Sequence, residues 1–463
     1  YERVGSRTQQ RTCMDRASPD SDRQKRGWRE VPTRIFVSPL LFLFQTLRFY
    51  WNRTTSAFRS MFSSKQESDE QPGSVRDRGN SYQHVPEMEA DHEVAVVNDI
   101  SGTFTRQWEP LCNHQQEETS SPTFRVASYN VLCQMAVEKM AHLDASSPLR
   151  SWSHRSALLA KEISSIDADI LGLQDISESV FEQDFKPLLE RLGYSVIFFE
   201  NPMEDRSNGL VLAVKKEKFE FESQETVDYF QKDDAVLNSG NIGQIARVVC
   251  RATKSSMILA HTQLLYDPRR GDTKIAQIAY LLSRVHQLRR DDEPVFCLGD
   301  FNIEPASKIF DYITKGVLNA TKFSIQNGSG QIPEDSNLEP EYLYELPRET
   351  FVHTMMDRSG KIRNNLFELL HSLNTTLPNQ FTHRLKLYSV YTPRQPSTVS
   401  SLESGAANPD YIFYDAGKSS ALHLTRRFSL PTVEDLSGAE RWPNSHLASS
   451  HIALAADFTL QTT

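Results

Sequence analysis

Cysteine is scarce in this chain, with five among 463 residues. Cys13, Cys112, Cys133, Cys250 and Cys297 are odd in number, widely scattered and without any Cys-x-x-Cys or Cys/His spacing. That pattern excludes a structural zinc module and reads as buried free thiols of a reducing compartment, so a cytoplasmic location is expected, with the nucleus as the alternative. A surplus of positive charge is also missing: 51 Lys and Arg stand against 60 Asp and Glu, a formal net charge of -9. This excludes a protein that coats nucleic acid along its whole surface but not one with a local basic cleft.

Long apolar runs are absent too. The strongest is Ile35 to Trp51, flanked by Arg34 and Arg53 and interrupted by Pro39, Gln45 and Arg48. A spanning helix wants about 20 apolar residues, so three readings stay open: a membrane span, an interfacial or docking helix, and a segment folded against the core. No internal repeat is present. The chain opens on Tyr1 rather than methionine and is expected to be a fragment whose upstream targeting signals are out of view.

What the chain does have divides near residue 120. Before it, Arg, Gln, Ser, Asp and Glu dominate, as in His114-Gln-Gln-Glu-Glu118, and such a segment cannot bury enough apolar surface to offset chain entropy. Residues 1–120 are therefore expected to be a largely disordered extension, with protein partners as its role. From Phe124 onward, short strand-like runs alternate with helical stretches. Strands are predicted at Phe124–Tyr129, Asp169–Leu173, Ser195–Phe199, Leu210–Val214, Ala246–Arg251, Met257–Thr262, Pro294–Leu298 and Asp410–Tyr414. Helices are predicted at Ser153–Ser165, Phe181–Leu192 and Asp272–Arg290, the last capped by Asp272. This implies a layered α/β fold. The Gly-, Ser- and acid-rich stretch from Ser324 to about Tyr342 reads as a solvated surface loop.

The most informative segment is Pro294-Val-Phe-Cys-Leu-Gly-Asp-Phe-Asn302, an apolar run that empties into an acid and an amide two residues apart. Ligand groups sit at the carboxyl ends of strands in open sheets, and phosphoester hydrolysis needs both a proton acceptor and a holder of oxyanion charge there. Other strands also end in polar groups: Ser128-Tyr-Asn130, Gln174-Asp175, His261-Thr-Gln263, Asp410 and His451. One such group usually serves a turn or cap, but the repetition points to a site.

Six strings fall in a familiar order: Ser128-Tyr-Asn-Val-Leu132, Leu173-Gln-Asp-Ile176, Leu264-Leu-Tyr-Asp-Pro-Arg-Arg-Gly-Asp272, Leu298-Gly-Asp-Phe-Asn302, Pro409-Asp-Tyr-Ile-Phe-Tyr414 and Ser450-His451. From about Phe124 to Leu460 the chain resembles the endonuclease/exonuclease/phosphatase superfamily. Within it, Tyr-Asp-Pro-Arg-Arg-Gly-Asp272 and Trp442-Pro-Asn-Ser-His-Leu-Ala-Ser-Ser-His451 look most like the angel branch, relatives of nocturnin and of the deadenylase subunit of the mRNA decay complex.

The resemblance implies an α/β (α+β) four-layer sandwich, two packed β-sheets flanked by helices, with residues 121–463 as the catalytic domain. It implies magnesium-dependent phosphodiester hydrolysis on RNA, of the 3′-to-5′ exoribonuclease or deadenylase kind, with Mn²⁺ as an alternative ion. Carried over by position, Asn130 and Asp175 would hold the metal, and Asp300 would position or deprotonate water. Asn302 and Asn241 would contact the scissile phosphate, Asp410 would support the metal or water network, and His451 would stabilise phosphate charge. Arg269 and Arg270 would attract the RNA backbone or else form a solvated pair at a helix start.

Three positions depart from the family pattern. Asp175 replaces the usual glutamate, shortening its reach by roughly 1.5 Å. Gln263 replaces a histidine and keeps a neutral hydrogen bond to phosphate without the charge; His261, on the same strand face, is either a partial substitute or a packing residue. Ser450 replaces an aspartate expected to orient His451. A smaller change puts Asn208-Gly209 where relatives have Asp-Gly. Weakened catalysis is expected, and the alternative is a non-catalytic member that binds RNA or a protein. A lipid phosphodiesterase at a membrane is the lesser third, because the Arg-Arg-Gly-Asp string points to the RNA-processing branch.

Overall fold

The computed structural model describes residues 104–111, 121–140, 147–201, 209–231, 236–290, 293–332, 380–391, 398–402, 405–417, 422–437 and 441–460. The apolar segment at 35–51 and most of the 1–120 extension lie outside these residues. Fifteen strands appear among those described: β1 (Trp108–Pro110), β2 (Thr123–Asn130), β3 (Ile170–Ile176), β4 (Tyr194–Glu200), β5 (Gly209–Lys215), β6 (Phe219–Asp228), β7 (Ile242–Cys250), β8 (Ser256–Gln263), β9 (Val295–Asp300), β10 (Val317–Asn319), β11 (Gln380–Thr382), β12 (Tyr388–Ser389), β13 (Asp410–Asp415), β14 (Leu422–Phe428) and β15 (Leu454–Leu460). They form a seven-stranded sheet ordered β1-β14-β15-β2-β3-β5-β4, a six-stranded sheet ordered β12-β13-β9-β8-β7-β6, and a β10-β11 ribbon. The edge strand β1 lies ahead of the boundary placed at residue 121 and pairs with β14.

Among the described residues they are accompanied by α1 (Gln134–Glu138), α2 (Trp152–Ile166), α3 (178–191), α4 (Gly271–Leu288) and α5 (Lys308–Lys315), and by two short 3-10 turns, Pro148–Arg150 and Ala320–Lys322. Ser151 starts α2 by accepting the His154 N–H on its hydroxyl, and Asp167 ends it in the left-handed conformation. Within α3 the stretch Phe181–Phe185 is a π turn, a local widening that one-face apolar spacing does not announce. For α4 the expectation of an Asp272 cap is corrected: Arg270 is the cap residue, without a side-chain cap bond, and Asp272 lies inside the first turn. A carboxylate there still favours the helix dipole.

Strand alternation sorts the apolar residues into three cores. Phe124 and Val126 of β2, Ile170 of β3, Leu259 of β8, Phe296 and Leu298 of β9 and Ile412 of β13 pack between the sheets. The other faces of the same strands, with Tyr129, Leu171 and Leu173, pack under α2 and α3 on one side. Cys297, Ala260 and Phe413 pack under α4 and α5 on the other. Three cores between four layers give the four-layer sandwich.

At Gly172 of β3 the opposing sheet leaves no room for a side chain. A Cβ built there would meet Leu298 Cδ1 at 2.6 Å and His261 ring atoms at 3.0 Å. Overpacking of this kind typically costs about 1–3 kcal/mol. Gly172→Ala is expected to lower the stability measured by urea unfolding by that amount, and an unchanged midpoint would contradict this packing.

The stretch predicted as a solvated loop is packed over its described part, residues 324–332. The Gly271 N–H donates to Ile325 O at 3.0 Å and the Glu304 N–H to Ser329 O at 2.8 Å. The Ser329 hydroxyl donates to Pro268 O at 3.0 Å. Buried Ile325 and Ile332 anchor the segment, so its apolar residues outweigh its Gly and Ser content.

Candidate active site

Period-two alternation decides which strand-end groups meet. In β2 the even positions Phe124 and Val126 face the opposing sheet, so Ser128 and Asn130 do as well; in β9, Phe296 and Leu298 do the same and Asp300 follows. Parallel pairing of β2 with β3 and of β8 with β9 brings their carboxyl ends to one end of the sandwich. Strand β13 runs antiparallel to β9 with Asp410 opposite Asp300, so its first residue lies at that same end. Gly299 permits the crowding: its φ is +143°, and a Cβ would meet Thr262 O at 1.8 Å.

The result is a buried polar cluster. The Asn130 Nδ2 group donates to Asp300 Oδ2 at 2.9 Å. The Asn302 N–H donates to Asp300 Oδ1 at 3.0 Å, so both oxygens of that carboxylate are held. The side chain of Asn302 donates to Leu264 O at 3.0 Å. His451 donates from Nδ1 to Asp410 at 3.0 and 3.1 Å, and the Ser400 hydroxyl donates to Asp410 Oδ2 at 2.7 Å. One candidate ligand atom from each of Asp300, Asp410 and His451 lies within 4.8 Å of the others. Burial pushes the Asp300 carboxyl well above the ordinary carboxylate range; Asp410 adds to the rise, while His451, Asn130 and the Asn302 N–H oppose it.

Asp175 reaches its place by a different route. Plain alternation from Leu171 and Leu173 would send residue 175 to the helix side. Pairing with β5 slips between Gln174 and Ile176, and Asp175 takes φ +67°. This bulge turns the carboxylate so that Oδ2 accepts the Cys133 N–H at 2.9 Å, on the segment that follows Asn130.

Gln263 ends β8 opposite Asp300 in register and, by alternation, on the face that His261 shares. His261 lies deeper and is sealed: Nδ1 pairs with Gln244 Oε1 at 2.9 Å and Nε2 with Gln174 Nε2 at 2.6 Å. Burial pushes its imidazole down to about 3. It is therefore a neutral packing residue, and the idea that it substitutes for a histidine at 263 does not hold. Asn241 lies beside the strand end, donating to Gln263 O at 3.2 Å and accepting from Ser239 at 2.9 Å; no bond joins it to the Asp300 cluster. Arg269 pairs with Asp267 and Arg270 with Asp272. Both arginines are partly compensated by neighbouring acids, which weakens their pull on a polyanion.

Residue 450 needs a correction. The carboxylate that orients His451 is Asp410, one strand away, so the serine at 450 does not deprive the imidazole of its partner. Ser450 is fully buried and its hydroxyl has no hydrogen-bond partner. Its neighbour Ser449 is the useful one, donating to Asn130 O at 2.7 Å and accepting the His451 N–H at 3.1 Å. Ser449 and Ser400 were missed in the sequence. Ser449 had a signal, lying within the Ser-Ser-His string, whereas Ser400 had none.

The family model for the endonuclease/exonuclease/phosphatase family matches residues 127–429. Protein angel homolog 2 of Bos taurus is 29% identical over 437 residues, covering 82% of this chain and 80% of that protein. The Danio rerio protein of the same name is 30% identical, covering 81% of this chain and 72% of its own length. The crystal structure of ANGEL2, a 2′,3′-cyclic phosphatase, in complex with adenosine-2′,3′-vanadate is 28% identical with a TM-score of 0.65, and the match covers 77% of this chain and 99% of that one.

Proposed function

The chain belongs to the endonuclease/exonuclease/phosphatase family, whose chemistry is phosphoester hydrolysis, and from that premise we propose that it hydrolyses phosphate esters at the 3′ ends of RNA. The observation that carries this is the buried constellation of Asn130, Asp300 and Asn302 beside the Asp410–His451 pair. The first substrate to test is a terminal 2′,3′-cyclic phosphate, because the similar ANGEL2 structure is that of a 2′,3′-cyclic phosphatase. Removal of 3′-terminal adenylates is the second.

The donor set fits a divalent ion. The groups available are carboxylate and amide oxygens plus one imidazole, and the acids are buried, with Asp300 raised by burial and by Asp410 against the opposing pull of His451. Hard oxygen donors of that kind suit Mg²⁺ or Mn²⁺. Asn130 and Asp175 would hold it, and Asp300, Asp410 and His451 form a second group of donors within 4.8 Å of one another. When bound, the ion neutralises charge that builds on the phosphate oxygens.

The protein's own groups do the rest. Asp300, with both oxygens fixed and its proton affinity raised, accepts a proton from the attacking water. Asp410 accepts the Nδ1–H of His451, which leaves Nε2 as the nitrogen to address a phosphate oxygen. Asn302 keeps one amide hydrogen beyond its bond to Leu264 O for the same purpose, and Gln263 at the mouth adds a neutral donor.

The test incubates the full chain and Mg²⁺ with a 5′-labelled oligoribonucleotide ending in 2′,3′-cyclic phosphate and, in parallel, with oligoadenylate ending in a 3′ hydroxyl. Metal-dependent conversion of either, silent in Asp300→Ala, is the expected result. A purely binding role, favoured by the uncharged Gln263 and the shortened Asp175, would show tight RNA binding without conversion. Restoring the usual side chains with Asp175→Glu and Gln263→His together is expected to raise turnover by about tenfold or more. Equal rates for the double variant and the unaltered chain would end the idea of weakened catalysis.

A further inference from the structure

Two buried cations lie beneath the site, one contributed by a helix on each outer layer. Arg155 of α2 and Lys274 of α4 are both fully buried. Neither has a carboxylate among its hydrogen-bond acceptors. Arg155 donates to Leu132 O at 2.6 Å, Val131 O at 2.7 Å, Ala448 O at 2.7 Å and Gln134 Oε1 at 2.9 Å. Lys274 donates to Asn302 O at 2.8 Å and to Gln331 Oε1. Burying a cation on neutral acceptors is costly, and burial pushes the Lys274 ammonium down to about 7 and the Arg155 guanidinium down to about 10, so what the two side chains share is their hydrogen-bond geometry.

The two cations grip matching turns. At the end of β2, Asn130 Oδ1 accepts the Leu132 N–H at 2.9 Å, and Leu132 takes φ +60°. At the end of β9, Asp300 Oδ1 accepts the Asn302 N–H at 3.0 Å, and Asn302 takes φ +49°. Each turn thus places a non-glycine residue in the left-handed region two positions after a site residue, and a leucine there is strained. In each case the carbonyl of that strained residue is the one held by the buried cation. The Asn130 and Asp300 side chains then meet across the sheets at 2.9 Å.

We propose that Arg155 and Lys274 are a matched pair of positioning residues, each clamping one strained turn so that Asn130 and Asp300 are held in register for the reaction. Arg155 also reaches Ala448 O, three residues before His451, and so braces a second segment of the site. Lys274 ties the packed 324–332 segment to the Asp300 turn through Gln331. Neither residue touches substrate; each acts through the turn it holds. This rests on the functional reading above for its catalytic consequence and on the turns alone for its structural one.

The full chain carrying Lys274→Met and, separately, Arg155→Lys is compared with the unaltered chain in two ways. By amide hydrogen exchange, the Asn302 amide is expected to exchange about tenfold faster or more in Lys274→Met while the Leu132 amide is unchanged, and Arg155→Lys to show the reverse. In hydrolysis, kcat is expected to fall by about ten- to hundredfold in each while KM stays within about twofold. Lys274→Gln, which keeps a donor, recovers part of the loss. Folded variants that retain protection at both amides, or that lose thermal stability without losing kcat, overturn the proposal. If Arg155→Lys does not fold, the two Lys274 variants decide. If the unaltered chain hydrolyses neither substrate, the functional reading fails on its own and the exchange data still decide whether the cations hold the turns.

Discussion

Asp300→Asn is expected to remove hydrolysis almost entirely, by about a thousandfold or more, while leaving the protein folded. Both oxygens of the carboxylate are fixed, by Asn130 Nδ2 and the Asn302 N–H, and burial raises its proton affinity. A positioned base contributes about 10²- to 10⁴-fold, and the lost negative charge also weakens the site for a cation, so the two effects add. Stability should move the other way. An acid whose folded pKa lies above its ordinary 3.8 stabilises the fold while protonated and loses that contribution as pH rises through the folded value. At neutral pH, without metal, ionised Asp300 therefore opposes folding, and the amide relieves the strain. Thermal unfolding in a chelator should show Asp300→Asn at least as stable as the unaltered chain; a clear drop would mean that the carboxylate is structural.

Asp410→Asn is the second large effect, expected to lower turnover by about 10²- to 10⁴-fold. Asp410 accepts the Nδ1–H of His451 on both oxygens and a hydroxyl proton from Ser400. Nδ1 and Nε2 both donate only in the imidazolium, which the Asp410 carboxylate stabilises; a neutral amide does not, so the ring loses the charge with which it addresses the phosphate. Ser450→Ala makes the contrast, because that hydroxyl bonds nothing and is expected to change turnover by less than about threefold. Steady-state rates of the two variants decide the assignment. A large loss at 450 with little at 410 would return the orienting role to residue 450.

The sequence patterns carried the centre of the fold well because its strands are buried on both faces. All eight predicted strands are present within a few residues, from Thr123–Asn130 to Asp410–Asp415. The strands that were not predicted are those whose pattern is diluted by solvent. In β6, Phe-Glu-Phe-Glu-Ser-Gln-Glu-Thr-Val-Asp228 is an edge strand whose glutamates face water and pair with arginines such as Arg284 and Arg290. In β14, Leu-His-Leu-Thr-Arg-Arg-Phe428 hides its strand character behind two arginines that bind Asp457 and Glu109.

Much of the candidate site was also legible, since Asn130, Asp300, Asn302, Asp410 and His451 each end or precede a strand and do converge. What was not legible depended on geometry between strands. The bulge at Asp175 breaks the alternation that sequence reading assumes. The partner of His451 proved to be 41 residues away rather than next to it. The buried cations Arg155 and Lys274 gave no signal because helix patterning treats a charged residue as a solvent-facing one.

Phosphorus NMR of an oligoribonucleotide ending in 2′,3′-cyclic phosphate, incubated with the full chain and Mg²⁺, tests the central claim most directly. The cyclic diester resonance should give way to that of an acyclic phosphate product with the unaltered chain, and should persist with Asp300→Asn or when the ion is removed with a chelator. Conversion by Asp300→Asn at the rate of the unaltered chain, or persistence of the diester in every sample together with intact oligoadenylate, would contradict it.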